Sequence, residues 1–234
     1  MTLPWYRRLL ERWPALRRVA LRTETVIDDR VGDFARSLPA DTRLLDAGAG
    51  EGQHRRHFAH CRYIGVDLAV GEAAWDYSRL DALADLARLP FPDSCFAAAI
   101  NIVVLEHVAE PSQVLAELAR VLQSGGRLLL VAPQEWCVHQ APHDYYRYTR
   151  YGLEHLLTRA GFCRLRIEPL GGFFTLLGRR LLDAILYFQG GWRWLLFLPA
   201  AVLLAPIGLL LPWLDFLDAR KDSTLCYACL AQKQ

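Results

Sequence analysis

Lysine and methionine are nearly absent from this 234-residue chain, and neither sign of charge dominates. Lysine occurs only at Lys221 and Lys233, methionine occurs once, and 27 basic residues face 25 acidic ones for a net charge of +2. So small a charge gives no general attraction to nucleic acid, and no nucleic-acid partner is expected. At 53% hydrophobic residues, the chain can bury a sizeable core.

The sequence also lacks a paired set of cysteine motifs and an apolar leader. Cys226 and Cys229 form a CxxC without a second pair, and strand alternation would put them on opposite faces, so we predict no metal site. The scattered remaining cysteines indicate reduced thiols. The first residues lack the continuous apolar stretch of a secretory signal, and a cytoplasmic protein is expected.

Residues 1–38 are predicted to form an N-terminal helical segment. Its first part is rich in arginine and contains Trp5, Tyr6 and Trp13. Two interpretations stay open. The arginines form a solvated helix face, or they form a basic face that lies against an anionic membrane.

Strand-like and helix-like segments alternate from residue 39 onward. "TRLLDAG", "RYIGVDLA" and "RLLLVAP" are predicted strands, and the apolar run "CFAAAINIVVL" is typical of a buried parallel strand. "QHRRHFAH" is predicted to be a helix, and so is "PSQVLAELARVLQSGG", which has proline in its first turn. The alternation predicts an α/β fold with a parallel sheet and helices on both faces.

The stretch "LLDAGAGEG" has glycines at 48, 50 and 52, directly after the first predicted strand. Glycine lets backbone approach a ligand where no Cβ would fit. A dinucleotide fingerprint would require glycine at position 53, which is Gln53. With Asp67 at the end of the next strand, the pattern favours an adenosyl ligand bound through its sugar, and argues against an NAD-dependent oxidoreductase.

Four motifs in order, "LLDAGAGEG", "YIGVDL", "DLARLPFPDSCFAAAINIVVLEHV" and "PSQVLAELARVLQSGGRLLLVAP", resemble the class I S-adenosylmethionine-dependent methyltransferases of the small-molecule, type 11-like group. The resemblance covers about residues 42–168. It implies a Rossmann-like seven-stranded sheet in the order 3-2-1-4-5-7-6 with strand 7 antiparallel, and S-adenosylmethionine as cofactor. The chain departs from the family at Ala97, where aspartate is common, a position remote from methyl transfer.

The resemblance also implies a set of cofactor-binding residues. Asp67 would hold the ribose, Asp85 would approach the adenine amine with Leu86 against the ring, and Asn101 would line the path to the methyl group. Leu68 also belongs to the predicted cofactor-binding residues. The floor of the site would consist of Asp46, Gly48, Gly50 and Gly52.

Two histidine-bearing stretches are candidates for the catalytic side. "LEHV" contains His107 just after strand 4, and "WCVHQAPHDYYRYT" contains His139, His143 and Tyr146 after strand 5. Histidine is the usual general base near neutral pH. The alternative is that these polar residues only cap the next helix and bond each other. We predict no metal, since an irregular loop does not align His139 with His143.

Trp194 to Leu214 are 21 residues without a charge. As one helix they would extend roughly 30 Å, enough for a bilayer core. Pro199, Pro206 and Pro212 interrupt them, and "STLCYACLAQK" behind them looks like strand 7, which must rejoin the sheet. We therefore predict an insertion at 171–221, with an amphipathic helix at 173–188 and a kinked or re-entrant hairpin at 194–214.

The sheet domain would comprise 39–170 and 222–234. The resulting hypothesis is a methyltransferase acting on a small or lipid-like acceptor, peripheral or monotopic on the inner face of a membrane. Two alternative functions are a non-catalytic S-adenosylmethionine-binding or scaffold protein and a nucleic-acid methyltransferase. The insertion could also be buried as an apolar lid on its own domain or in a homodimer, and not in lipid.

Overall fold

The computed structural model describes residues 22–71 and 75–234. The basic face predicted near the N-terminus lies outside these residues, except for Arg22. The helices are α1 (Arg22–Arg36), α2 (Pro111–Val121), α3 (Arg150–Arg159), α4 (Phe173–Leu186) and α5 (Trp194–Leu210). The strands are β1 (Arg43–Ala47), β2 (Arg62–Asp67), β3 (Ala82–Leu83), β4 (Phe96–Ile102), β5 (Leu122–Pro133), β6 (Phe162–Pro169) and β7 (Cys226–Lys233).

The seven strands form one sheet in the order β3-β2-β1-β4-β5-β7-β6. β1 pairs in parallel with β2 and β4, and β7 runs antiparallel to β5, with Leu130 opposite Cys229. Leu44, Leu45 and Ala47 of β1 are fully buried, because both faces of the strand are covered. The predicted fold class, strand order and antiparallel seventh strand are confirmed.

The carboxyl ends of β1, β2 and β4 therefore lie side by side, at the edge of the sheet where ligands bind in such folds. The segment after β1 departs from the sequence reading. The predicted helix at "QHRRHFAH" is only a 3₁₀ turn at Arg55–Phe58. Phe58 is its one buried residue, so it offers too little apolar surface to stabilise a longer helix.

Compact packing divides the chain into two units. The larger contains Asp28–Glu168 and Cys226–Gln234, and hence the sheet. The smaller contains Pro169–Leu225 together with the part of α1 up to Ile27. The domain limits drawn from the sequence stay a prediction.

In the smaller unit, α4 and α5 form a helical hairpin. The amphipathic helix predicted at 173–188 is present as α4, but the hairpin predicted within 194–214 is wrong. Pro199 and Pro206 lie inside one continuous helix, followed by a 3₁₀ segment at Leu211–Leu217. Proline removes one amide donor and bends a helix without necessarily ending it.

Glycine lets the two helices of this hairpin touch. A Cβ on Gly178 would lie 2.5 Å from the Gly208 carbonyl oxygen, and a Cβ on Gly208 would lie 2.9 Å from the Gly178 oxygen. Asp215 closes the hairpin by accepting hydrogen bonds from the amides of Gly172 (2.9 Å) and Thr175 (3.0 Å). These amides lie at the start of α4, where backbone donors have no partner within the helix.

Candidate active site

The glycine-rich loop after β1 requires a backbone that only glycine adopts readily. Gly48, Gly50 and Gly52 have φ angles of +90°, +52° and +72°. A Cβ on Gly48 would lie 2.4 Å from a methyl carbon of Val104, so there is no room for a side chain. The glycines therefore shape a turn that brings bare backbone to the sheet edge.

Asp67, the last residue of β2, is held against this loop. Its Oδ2 accepts a hydrogen bond from the Gly50 amide (2.9 Å), and its Oδ1 accepts one from the Ala69 amide (2.8 Å). Each carboxylate oxygen can accept a further bond. Asp67 can therefore accept hydrogen bonds from two hydroxyl groups while the two backbone amides hold its carboxylate in place.

Asp46 lies near the end of β1, and it is 1% exposed. The Tyr63 hydroxyl donates a hydrogen bond to Asp46 Oδ2. Burial disfavours the charged carboxylate and, with a smaller contribution from Asp67, raises the pKa of Asp46 to about 7, although the Tyr63 bond acts in the opposite direction. Asp46 is thus a carboxyl group that titrates near neutrality.

The raised pKa of Asp46 makes stability depend on pH. Because its folded pKa of about 7 exceeds the ordinary aspartate pKa of 3.8 in the unfolded chain, its favourable contribution is complete below about pH 4 and is lost as pH rises through 7. At about 1.4 kcal/mol per pKa unit, the loss is up to about 4 kcal/mol. We expect Asp46→Asn to flatten the decline in free energy of unfolding between pH 5 and 8, measured by urea denaturation without cofactor. An unchanged slope would contradict the assignment.

The end of β4 forms the other wall of the glycine loop. Asn101 is fully buried and donates from Nδ2 to the Ala47 carbonyl (2.8 Å), while its Oδ1 has no hydrogen-bond partner. Val103 has a φ of +57°, and the next residue, Val104, covers Gly48. Asn101 thus lies beside the loop with one acceptor atom free.

The remaining predicted cofactor contacts lie near the end of β3. Asp85 is exposed and its Oδ1 accepts a hydrogen bond from the Ala87 amide (2.9 Å). Leu86 is buried in the core, and Leu68 is exposed. The following "LPF" loop is held by Arg120 of α2, which donates to the carbonyl oxygens of Phe91 (2.9 Å) and Leu89 (3.2 Å).

His107 and His139 come together although they are far apart in sequence. Their Nε2 atoms are 3.0 Å apart, and each lies 3.6 Å from Oε1 of Glu106. Burial lowers the pKa of His139, but the Glu106 carboxylate, the Cys137 carbonyl and Asp144 raise it, and the net direction is upward. The cluster therefore attracts positive charge.

The loop after β5 is held by an internal ion pair. Arg147 binds both carboxylate oxygens of Asp144 (2.6 and 2.9 Å), which holds the pKa of Asp144 at about 2, and donates to the carbonyls of Trp136 and Cys137. Tyr146 donates to the Ala109 carbonyl (2.9 Å) and remains exposed. The loop is thus ordered by its own polar groups, and it also presents side chains to solvent.

His143 does not join the other two histidines through its side chain. Its Nδ1 lies 3.1 Å from the Tyr145 hydroxyl, whereas its backbone oxygen lies 2.6 Å from His107 Nδ1. The structure thus brings together His107 and His139 of the predicted catalytic set and leaves the His143 ring outside that pair.

Sequence reasoning missed Tyr63 and gave Glu106 no role in the site. Tyr63 is an ordinary strand residue whose partner, Asp46, becomes apparent only from the β1–β2 register, in which Asp46 lies opposite Gly65. Glu106 was visible in "LEHV", but its complete burial was not. A charged residue directly before a histidine at a strand end is the signal that was available.

The residues present fit an adenosyl ligand. The glycine loop offers bare backbone at the sheet edge, Asp67 offers two acceptors at the adjacent strand end, and Asn101 has a buried oxygen without a partner. Hydroxyl groups and an amine are the donors that such acceptors bind.

Comparison with known proteins gives a consistent result. Residues 45–130 match the family model described as a methyltransferase domain. A probable S-adenosylmethionine-dependent methyltransferase of Mycolicibacterium smegmatis is 31% identical over 153 residues, which are 60% of this chain and 58% of that protein. The tRNA (carboxymethyluridine(34)-5-O)-methyltransferase of Arabidopsis thaliana is 31% identical over 116 residues, 47% of this chain and 28% of that protein. The chain thus spans about a quarter to three fifths of these relatives' lengths.

Among solved structures, the [4+2]-cyclase SpnF has a similar fold, with a TM-score of 0.54 and 23% identity. The match covers 88% of this chain and 80% of SpnF. At this identity the likeness concerns the fold alone, and the name of SpnF shows that a similar fold also occurs in a cyclase.

Proposed function

The chain belongs to the class I S-adenosylmethionine-dependent methyltransferases, with S-adenosylmethionine as cofactor, and from that premise we propose that it transfers a methyl group to a small or lipid-like acceptor at a membrane surface. The observation that carries the methyl-transfer proposal is the glycine loop after β1, whose glycines have positive φ angles and whose Gly50 amide donates a hydrogen bond to Asp67. It provides bare backbone and paired acceptors where an adenosyl group needs them.

When bound, the cofactor supplies an electrophilic methyl group on its sulfonium. The protein's task is then to align acceptor and methyl group and to exclude water. Asp67 would bind the ribose hydroxyls, Asp85 the adenine amine, and Asn101 would face the path to the methyl group. Asp46 and the glycine loop would form the floor.

The acceptor side of the site would be formed by the residues after β4 and β5. His107 and His139 lie at these strand ends, and Tyr146 is exposed on the same loop as His139. Either histidine offers a ring nitrogen that can take a proton from an acceptor hydroxyl or amine. β4 and β5 lie on the opposite side of β1 from β2, which supports assigning the two groups of residues to different ligands.

The apolar surface of α5 supports a lipid environment. Gly191–Leu217 is a 27-residue helical stretch whose most apolar 18 residues have a mean hydropathy of 2.4 and are 6% buried. Trp192, Trp194 and Trp213 are exposed near its ends, where aromatic rings settle at a membrane interface. Soluble monomers rarely expose so large an apolar area.

The topology favours a helix that lies in the membrane surface. β6 precedes the insertion, β7 follows it, and the two strands are neighbours in one sheet, so the chain must leave and return on the same side. α4 is unsuited to a return crossing, because it has only 14 residues and contains Arg179, Arg180 and Asp183. We therefore propose a shallow, monotopic attachment.

Arg179 forms ion pairs with Glu24 (3.3 Å) and Asp183 (2.9 Å) inside the smaller unit, so its charge is already paired. Arg193 is exposed beside Trp192 and Trp194 and remains available to a phosphate headgroup.

Asp67→Ala tests the cofactor site. The variant leaves the ribose hydroxyls and the Gly50 amide without an acceptor, so we expect it to weaken binding of S-adenosylmethionine by about 1–3 kcal/mol, roughly 5- to 150-fold, in calorimetry. Asp93→Ala, which removes an exposed carboxylate paired with Arg120, is the control and should bind normally. Equal affinity in wild type and Asp67→Ala would remove Asp67 from the site, and binding of NADH without S-adenosylmethionine would overturn the proposal.

A second candidate is a protein that binds the cofactor without transferring its methyl group. The similarity to SpnF supports this second candidate, because SpnF has a similar fold and is named as a cyclase. Incubation with methyl-labelled cofactor and extracted lipids distinguishes the two: labelled lipid supports transfer, while tight cofactor binding without labelled product favours the second candidate.

A further inference from the structure

The strongest unassigned feature is the buried carboxylate of Glu106. Its side chain is 0% exposed, and neither Oε1 nor Oε2 has a hydrogen-bond partner. Buried carboxylates without donors are rare, because an uncompensated charge costs several kcal/mol. The nearest polar groups are the Nε2 atoms of His107 and His139, each 3.6 Å from Oε1.

Hydrogen bonds to carbonyl groups fix how both histidines are protonated. His107 Nδ1 lies 2.6 Å from the His143 carbonyl oxygen, and His139 Nδ1 lies 3.0 Å from that of Cys137. A carbonyl oxygen only accepts, so both Nδ1 atoms carry hydrogen. In the neutral rings each Nε2 then presents a lone pair, and both Nε2 atoms lie 3.6 Å from Oε1.

The separations match a metal ion's ligands. Nε2 of His107 and Nε2 of His139 are 3.0 Å apart, and each is 3.6 Å from Oε1. Ligands about 2.1 Å from Zn²⁺ at angles of about 90–120° lie roughly 3.0–3.6 Å from each other. Two histidines and one carboxylate are also the protein ligands of catalytic zinc sites that keep one position open.

Neighbouring residues hold His139 in place through hydrogen bonds and ring stacking. Asp144 Oδ2 accepts a hydrogen bond from the His139 amide (2.8 Å) and lies 3.5 Å from its Nδ1, and Arg147 fixes Asp144 from the other side. The Trp136 ring stacks on His139 at 5.7 Å. Such partners set the tautomer and orientation of ligating histidines.

We propose that Glu106, His107 and His139 bind a divalent transition-metal ion, with Zn²⁺ as the expected ion. The ligands come from two loops, at the ends of β4 and β5, which is why a search along either loop predicts no metal. His107 and His139 retain some exposure, so an open coordination position faces solvent. Resting on the proposed function, an acceptor hydroxyl bound to the ion through its oxygen would have a lowered pKa and would lose its proton to solvent. Its oxygen would then take the methyl group and S-adenosylhomocysteine would leave, which points to oxygen methylation with His107 and His139 as ligands and not as bases.

Zn²⁺ binding to the metal-stripped full-length protein tests the site. We expect one ion per chain by titration calorimetry and by elemental analysis after dialysis. Glu106→Gln and His139→Ala should each weaken binding at least about 100-fold, since loss of even an outer partner costs 10- to 100-fold. His143→Ala is the matched control. It removes an imidazole from the same loop but keeps the carbonyl that orients His107, so it should bind Zn²⁺ normally.

Co²⁺ substitution adds a spectroscopic readout, in which visible absorption reports low-symmetry coordination and should vanish in His139→Ala. Each variant is checked for folding by circular dichroism and by S-adenosylhomocysteine binding, which uses other residues. The proposal is overturned if the wild type does not bind Zn²⁺ stoichiometrically, or if His143→Ala loses as much Zn²⁺ affinity as His139→Ala. In that case a proton shared between the rings of His107 and His139 explains the cluster. Zn²⁺ binding without S-adenosylhomocysteine binding leaves the metal site standing and refutes the proposed function.

Discussion

A variant with Leu195→Glu, Leu198→Glu and Val202→Glu is expected to stay in the supernatant when neutral phosphatidylcholine vesicles sediment the wild-type protein. The three residues are 79%, 68% and 67% exposed and lie on one face of α5, at spacings of three and four. Immersing such side chains in lipid contributes about 1.5–3 kcal/mol each, and a charge opposes immersion. The partition coefficient should fall at least about 100-fold.

The substitution should leave the fold intact, because glutamate is a good helix former and the replaced side chains are exposed. Leu83→Glu, Val138→Glu and Tyr151→Glu together form a matched control with the same charge change at exposed apolar positions outside the insertion. This control should still sediment with vesicles. Failure of the wild type to bind vesicles would refute the membrane proposal, and a dimer in detergent-free buffer that only the α5 variant dissociates would assign the surface to a second copy.

Gly48→Ala is expected to destabilise the sheet domain by roughly 2–5 kcal/mol and to abolish measurable cofactor binding. The residue has a φ of +90°, and its new Cβ would lie 2.4 and 2.5 Å from the two methyl carbons of Val104. A left-handed conformation costs a side chain about 1–2 kcal/mol, and overpacking adds about 1–3 kcal/mol. Urea unfolding and calorimetry measure the two effects.

Gly52→Ala separates backbone strain from overlap. Its φ is +72°, but the nearest atom to a new Cβ is Arg79 Cβ at 3.5 Å, so only about 1–2 kcal/mol of strain is expected. Adding Val104→Ala to Gly48→Ala should recover part of the loss, because it removes the two closest carbons. Equal destabilisation by Gly48→Ala and Gly52→Ala would show that overlap with Val104 does not add to the cost of a side chain at position 48.

The sequence by itself determined the sheet. Continuous apolar runs such as Phe96–Ile102 are typical of strands buried on both faces, and the glycine spacing located the left-handed turn that Asp67 holds. These features are local, because burial of a strand and left-handed backbone are encoded in residue type. The insertion was likewise visible as an uncharged run, while its continuous helix was not, because packing of Gly208 against Gly178 determines how the proline-containing segment lies.

Only the tertiary structure decided the groupings that join distant elements. Asp46 meets Tyr63 through the β1–β2 pairing, and His107 meets His139 because β4 and β5 end side by side. Glu106 becomes an unpartnered buried carboxylate only once the loop after β5 covers it, when its backbone oxygen accepts the Tyr145 amide at 2.8 Å. Residue type fixes which groups can bind a ligand, but their distances and burial depend on strand order and loop paths, which no local pattern specifies.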